Sequence, residues 1–346
     1  MNNSSMISNH HNIIKITIIM LLLFSCDWSQ TVVTSYIHRD GSVTRKVTMK
    51  SGSETINHSD YRVPVDSSWS FSDTIEVEDN DTIRILTAVK DFSSVAEINK
   101  AYDSDSGSNK HLKRHAGFTK KFRWFYTYYY YTEGISKLLS VDVIPEDYLK
   151  GAGMEIFYHP EILTDSMLES ADSLLYKEQK NKADSAEEIY VFTALFEEWI
   201  SDYILLSHDS SVVAQKDSLI AQFDRDVTHK DSMIISVLGV DYYQKNKTDI
   251  DSSFILFEEK LGRIMASEYY TCEFVMPGKI ISTNGFVDKT GKISWPVDSK
   301  YFLTRDYRMF AESRSNNIWI WLVSAGILLL LSLLIARRRK TKSDKL

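Results

Sequence analysis

The chain of 346 residues has two cysteines, Cys26 and Cys272, and none of the short motifs that announce common chemistry. Two cysteines cannot build a disulfide framework or a cysteine-rich zinc site. There is no Gly-x-Ser-x-Gly elbow and no Ser-x-x-Lys, so the isolated Lys289-Thr290-Gly291 reads as a turn. No phosphate-cradling glycine loop or dinucleotide fingerprint occurs, and Gly151-Ala152-Gly153 is too short to count. His111 and His115 have helical spacing, but Leu-Lys-Arg stands between them. The glutamate of a zinc-protease motif is missing and the basic neighbours repel a cation. Asp103 to Asn109, "DSDSGSN", is superficially like a calcium loop. Its glycine falls at position five instead of six, and Arg114 stands where the bidentate glutamate should be. No metal and no cofactor is expected.

Acidic residues outnumber basic ones outside the C-terminus. The last ten residues carry a net +5, and removing it with the +1 of Lys15 from the chain's −7 leaves Cys26 to Ala336 at −13. An acidic body repels a phosphate backbone, which argues against nucleic acid as a partner. The lone Cys272, in "EYYTCEFVMPG", reads as a small buried hydrophobe rather than a nucleophile. Glu197-Glu198 and Glu258-Glu259 read as solvated helix faces, because adjacent residues on a helix diverge.

What the chain does have is a membrane signal at each end. Near the N-terminus, one cation at Lys15 precedes an apolar run from Ile16 to Phe24, too short to span a bilayer and fitting a signal peptide over residues 1–25. Leu23-Phe24-Ser25-Cys26 resembles a bacterial lipobox, which makes Cys26 the candidate lipidation site; Phe24 departs from the usual small residue. Plain cleavage and an uncleaved anchor stay open beside it. At the other end, Ile318 to Ala336 runs 19 residues without a charge, enough for about 28 Å of hydrocarbon at about 1.5 Å per residue. Trp319 and Trp321 mark one interface, and Arg337, Arg338 and Arg339 open the basic tail 337–346 at the other. By the positive-inside rule that tail is cytoplasmic, and the bulk of the chain lies on the extracytoplasmic side of the cytoplasmic membrane.

Between these ends, residues 27–144 are β-rich. Two runs meet at Asp40-Gly41 as a hairpin, Thr82 to Val89 is a strand, and a short helix from Phe92 to Lys100 is capped by Ser93 or Ser94. The stretch "KFRWFYTYYYYTEG", Lys121 to Gly134, places eight aromatics between 122 and 131. Period two puts Phe122, Trp124, Tyr126, Tyr128 and Tyr130 on one face of a single strand. That face is read either as sheet burial against a helical block or as an apolar groove for a lipid tail or partner peptide, with sugar stacking a third use. Residues 145–270 are helical, punctuated by seven Asp-Ser pairs, several of them at helix starts. Ile189, Phe192, Leu195, Phe196, Trp199 and Tyr203 form the apolar face of one helix. Strands return over 271–317, separated by Pro277-Gly278, Asn284-Gly285 and Gly291. The fold class expected is α+β: a mixed or antiparallel sheet built from N- and C-terminal segments, a helical insertion, and one transmembrane helix over 318–336.

The order Pro277-Gly278, Asn284-Gly285, Trp295 and Ala311 before an apolar helix, with the strand-turn-strand "SYIHRDGSVTRK" near the N-terminus, resembles the LppM-type domain of bacterial envelope lipoproteins. The resemblance covers 31–50, 82–100 and 273–340 and leaves the helical block without a counterpart. It implies a membrane-tethered α/β domain that binds lipid or another envelope component, and it supplies no catalytic residue. The expected function is therefore a non-enzymatic extracytoplasmic binding domain, with the membrane and a lipid or envelope protein as partners. A scaffold for an envelope complex and an envelope hydrolase with a non-standard site are the competing readings.

Overall fold

The computed structural model describes residues 29–343 except 53–60, 79–80, 108, 151–153, 155–156, 159–172, 208–209, 222–229 and 266–268. Cys26 and the apolar run before it lie outside the described residues. The chain opens with β1 (Ser29–Ile37) and β2 (Val43–Ser51), paired antiparallel about the expected Asp40-Gly41 turn. Gly41 sits at φ 97°, and a Cβ there would stand 2.8 Å from the ring of Phe118, so the turn needs glycine twice over. β3 (Ser70–Glu78) and β4 (Asp81–Phe92) follow, then α1 (Val95–Asp103). Ser94 is the N-cap residue of α1, but its side chain makes no cap bond. Glu97 Oε2 instead accepts from the Ser93 backbone N–H at 2.8 Å and from the Ser93 hydroxyl at 3.0 Å, one half of a capping box set one residue upstream.

β5 (Arg114–Arg123) and β6 (Tyr126–Ile135) form a hairpin, where the sequence pattern predicts one strand. The helical region holds α2 (Pro145–Tyr148), α3 (Ser173–Ser207), α4 (Ser210–Ala214), α5 (Lys216–Ala221), α6 (Lys230–Leu238) and α7 (Val240–Met265). β7 (Tyr270–Val275), β8 (Lys279–Thr283), β9 (Phe286–Val287), β10 (Ile293–Val297) and β11 (Tyr307–Asn316) complete the sheets, and α8 (Ile318–Ser343) leaves the domain.

The architecture is α+β, but with two sheets where one was expected. A seven-stranded sheet runs β3-β4-β2-β1-β7-β10-β9 and a four-stranded sheet β5-β6-β11-β8. In the larger sheet every pairing is antiparallel except β1 with β7, which joins N- and C-terminal segments in parallel across the helical insertion. The turn residues were legible; which sheet each strand joins was not. Pro277-Gly278 carries the chain from β7 in one sheet to β8 in the other, and Asn284-Gly285 carries it back to β9. Both glycines are forced by close approach: a Cβ on Gly278 would lie 2.3 Å from the carbonyl oxygen of Arg314, and one on Gly285 2.3 Å from the Trp295 indole.

The inner faces meet through alternating side chains. β6 buries Thr127, Tyr129, Tyr131, Glu133 and Ile135, and Tyr131 packs edge-on to Phe274 of β7 with ring centroids 4.8 Å apart. The inner face of the aromatic stretch thus meets the other sheet and Tyr102 of α1 rather than the helical block. The helical block docks at the Ile135 end of β6, on the segments before and after the strands there. Ser140 N–H donates to Glu198 at 2.8 Å, Lys300 pairs with Glu187 at 2.9 Å, and the Tyr190 hydroxyl lies 2.9 Å from that of Thr304. Desolvation there pushes the Tyr190 phenol up to about 12, which keeps it neutral and able to donate.

α3 is rotated slightly from its predicted face. Leu195, Phe196, Trp199 and Tyr203 are buried, while Ile189 and Phe192 are only half-buried. Glu198, expected on a solvated face, is buried and holds Lys260 at 2.8 Å as well as Ser140; Glu258 and Glu259 are exposed as expected. The Asp-Ser pairs divide likewise. Ser210 opens α4, and Asp217 and Asp231 lie in the first turns of α5 and α6, where acids complement the helix dipole. Asp184-Ser185 and Asp251-Ser252 fall inside helices, with Asp184 bound by Lys180 at 2.7 Å and Asp251 by Lys230 and Lys247, each at 2.7 Å.

Two glycine substitutions separate conformation from crowding. Gly239, at φ 89° between α6 and α7 with nothing near a Cβ, loses about 1 kcal/mol on change to Ala. Gly278, at the same φ but against the β11 backbone, loses several times more because that backbone must also move. Urea unfolding of the full chain in detergent checks the ratio; equal losses would contradict the packing of β8 on β11.

Candidate functional site

The tip of the β5–β6 hairpin is a two-residue loop, Trp124-Phe125, between the paired residues Arg123 and Tyr126. Tight hairpin loops require positive φ at a central position and normally use glycine or asparagine. Here Trp124 takes it, at φ 44°, the only non-glycine residue with positive φ among those described. Holding a bulky side chain there costs of order 1–3 kcal/mol. The loop is kept by Asn317, the residue between β11 and α8. Its side chain donates to the Trp124 carbonyl at 2.7 Å, its backbone N–H donates to the Phe125 carbonyl at 2.8 Å, and its Oδ1 accepts from Thr127 Oγ1 at 2.8 Å. The loop is therefore tied to the first turn of α8. Phe122 stacks on Trp319 at 6.3 Å between centroids, and Phe125 meets Trp321 at 4.3 Å.

The expected aromatic groove over Phe122, Trp124, Tyr126, Tyr128 and Tyr130 is corrected by this hairpin. Cross-strand pairing puts Phe122 on the side of Thr127, whereas Tyr126, Tyr128 and Tyr130 face the other way, and Trp124 is in the loop. The three tyrosines lie half-buried on the outer face of the smaller sheet beneath basic side chains. The Arg314 guanidinium is 4.7 Å from the Tyr126 ring, and Arg308 donates to the Tyr130 hydroxyl at 2.6 Å. Two-period aromatic patterning cannot distinguish one strand from two when the turn lacks glycine, asparagine, aspartate and proline. Phe125, Asn317 and the outer-face cations carried no motif that could have singled them out.

α8 carries one window, Ile318–Ile335, long and apolar enough to cross a membrane, with mean hydropathy 2.6 and 6% of it buried. Trp319 and Trp321 are exposed at its start, 60% and 51%. The helix continues unbroken through Arg337, Arg338 and Arg339 to Ser343.

A polar cluster with the makings of a catalytic site lies elsewhere, in the core. Arg45 of β2 forms an ion pair with Glu133 of β6, both buried, and donates to Ser35 Oγ at 3.2 Å and the Tyr102 hydroxyl at 2.6 Å. Glu133 accepts from Tyr102 at 2.7 Å and from Tyr131 at 2.6 Å. Burial raises both phenols well above the ordinary tyrosine value, so they remain donors. Cys272 is beside this cluster and wholly enclosed; burial raises its thiol, which opposes the thiolate a nucleophile needs. Arg114 pairs with Asp105, so one of the two acids of the calcium-like loop already has its cation, and His115 stands in β5. Among the described residues no group of three or more His, Cys, Asp or Glu is placed to hold a metal ion. Open clefts lie on the surface of the domain. One of about 510 Å³ contains His38, Thr44 and Asp91, with the Thr44 hydroxyl donating to Asp91 at 2.6 Å and lying 2.9 Å from His38 Nε2.

Glu133→Gln leaves the Arg45 charge buried without its partner and lowers stability by about 3–5 kcal/mol, read by urea unfolding. Arg45→Met with Glu133→Leu restores most of that loss, because both desolvation costs vanish together. A maleimide added at pH 7.5 labels Cys272 only after denaturant is added; rapid native labelling would show an opening into the core.

No family model matches the chain, and no curated protein matches it. Among solved structures, the folded domain of Mycobacterium tuberculosis LppM, determined by NMR, aligns over 84% of this chain and 91% of its own, with 7% identity and a TM-score of 0.26, a weak similarity of fold.

Proposed function

We propose that this chain is a membrane-tethered interaction domain, non-enzymatic, held on the extracytoplasmic face of the cytoplasmic membrane. The observation that carries the proposal is α8: apart from the buried Ile320, its apolar side chains, Leu328 at 67% and Leu334 at 58% among them, are exposed as far as Ile335. An uninterrupted apolar surface of this length is far beyond what a soluble domain leaves in water. A lipid core removes it at no cost in backbone hydrogen bonds, since a helix satisfies its own. The tryptophans at one end and Arg337, Arg338 and Arg339 at the other orient the helix with the folded domain outside. A lipid on Cys26 would add a second tether at the same face. On this reading the domain binds a lipid or another envelope component. The enclosure of Cys272 and the commitment of Arg45 and Glu133 to each other support a non-enzymatic role.

A scaffold reading has one observation of its own. Leu205, Leu206, Ile255 and Leu256 on α3 and α7 are exposed on the helical block, remote in sequence from the membrane helix. They suit a protein partner.

The tether is tested in a bacterial host by alkaline carbonate extraction. The Cys26→Ala protein stays in the membrane pellet, and the same variant ending at Asn317 is released. Release of full-length Cys26→Ala by carbonate would refute a spanning helix. Protease added to spheroplasts removes the domain while a tag after Leu346 survives; loss of the tag would reverse the topology. Intact mass of the wild type, compared with Cys26→Ala, reads lipidation directly.

A further inference from the structure

The outer face of the smaller sheet carries its charge in rows. In register across four strands stand Lys121 of β5, Tyr128 of β6, Arg314 of β11 and Lys279 of β8. One row closer to α8 stand Arg123, Tyr126 and Asn316. None of Lys121, Arg123, Lys279 and Arg314 is ion-paired among the described residues, and the first acid on that face is Glu312, one row farther from the helix. Four cations thus collect at the helix end of a sheet whose chain is strongly acidic elsewhere.

Below them the hairpin tip presents its rings. Phe122 is 54% exposed and Trp124 53%, beside the equally exposed Trp319 and Trp321. Soluble domains do not usually place four large aromatics together in water, and membrane interfaces select for them. Trp124 strengthens the point. The loop position it holds is one where glycine would be unstrained, so the indole is retained against the local backbone preference.

We infer that the β5–β6 hairpin tip is a second membrane contact. Phe122, Trp124 and Phe125 enter the interface beside Trp319 and Trp321, and Lys121, Arg123, Lys279 and Arg314 bind the phosphates of anionic phospholipids. The inference rests on α8 spanning a membrane, because the tip's depth is set through Asn317. The dimensions agree. Rows on one face of a strand are about 6.7 Å apart, and the headgroup layer of one leaflet is about 5–7 Å deep. Arg123, next to the loop, therefore stands within that layer, Lys121, Arg314 and Lys279, one row of about 6.7 Å higher, stand at its outer edge, and Glu312, a further row up, stands clear of it. A single helix leaves a domain free to swivel on its tether; this contact fixes which face of the sheet meets the bilayer.

The test uses the full chain as Cys26→Ala in nanodiscs of phosphatidylcholine with one quarter phosphatidylglycerol, where Cys272 is enclosed and unreactive. Nitroxide labels are placed singly by Trp124→Cys, Lys120→Cys, Leu328→Cys and Asp142→Cys, and collision rates with oxygen and with a nickel chelate report depth. Labels at 124 and 328 favour oxygen, and the label at 142, beside the helical block, favours the chelate. If 328 is in lipid and 124 behaves like 142, the second contact is wrong and the tether stands. If 328 is also in water, the tether fails and this inference with it. Replacing Lys121, Arg123 and Lys279 by Gln, or removing phosphatidylglycerol, lowers the immersed fraction at position 120, by about fivefold per cation. No change would overturn the phosphate contacts. Trp124→Gly leaves thermal unfolding unchanged or raised while the label at 120 moves toward water. A fall in thermal stability with depth unchanged would show the tryptophan to be structural.

Discussion

The ion pair between Arg45 and Glu133 is the contact on which the relation of the two sheets depends. It joins β2 of the larger sheet to β6 of the smaller one, and Tyr102 brings α1 into the same network. Burying two charges costs several kcal/mol per ion. That cost is met only because hydroxyls of Ser35, Tyr102 and Tyr131 supply further hydrogen bonds to both partners. Such a cluster adds little net stability over an apolar core, but it tolerates few geometries. A shift of β6 by one residue would turn Glu133 to solvent and leave Arg45 stranded, so the pair pins the strand's register.

Register on β6 has consequences at both ends of the strand. From Tyr126 to Ile135 is about 30 Å at about 3.3 Å per residue. At the Ile135 end the chain passes into the segments that carry the helical block, through Leu138 and Leu139 bonded to the carbonyls of Phe302 and Leu303. At the Tyr126 end stands the strained loop, held by Asn317 at the root of α8. The smaller sheet is therefore a strut between helices that face the surroundings and a helix suited to lipid. The antiparallel pairing of β6 with β11 transmits the alignment, since β11 runs directly into α8.

Much of the organisation was legible in the chain. The Asp40-Gly41 hairpin, the strand after Thr82, the helical block, the returning strands and the apolar helix all follow from local chemistry: positive φ at glycine, β-branched runs, amphipathic spacing, and length without charge. Three readings failed for one shared reason. The aromatic stretch was taken as one strand, Glu198 as solvated, and every β segment as part of one sheet. Each depends on what approaches from a distant part of the chain: Asn317 closing the Trp124 loop, Ser140 and Lys260 reaching Glu198, and Arg314 crowding Gly278.

What the sequence determined by itself was periodicity, turn position and polarity, and so the α+β class and a helix fit for a bilayer. These are properties of residues and their immediate neighbours, and neighbours in sequence always meet. Tertiary structure alone decided that Arg45 faces Glu133, that Lys121, Arg314 and Lys279 fall into one row, and that the hairpin rings lie against Trp319 and Trp321. Those residues are separated by tens to hundreds of positions. Their meeting is fixed by cross-strand register, which no local pattern encodes.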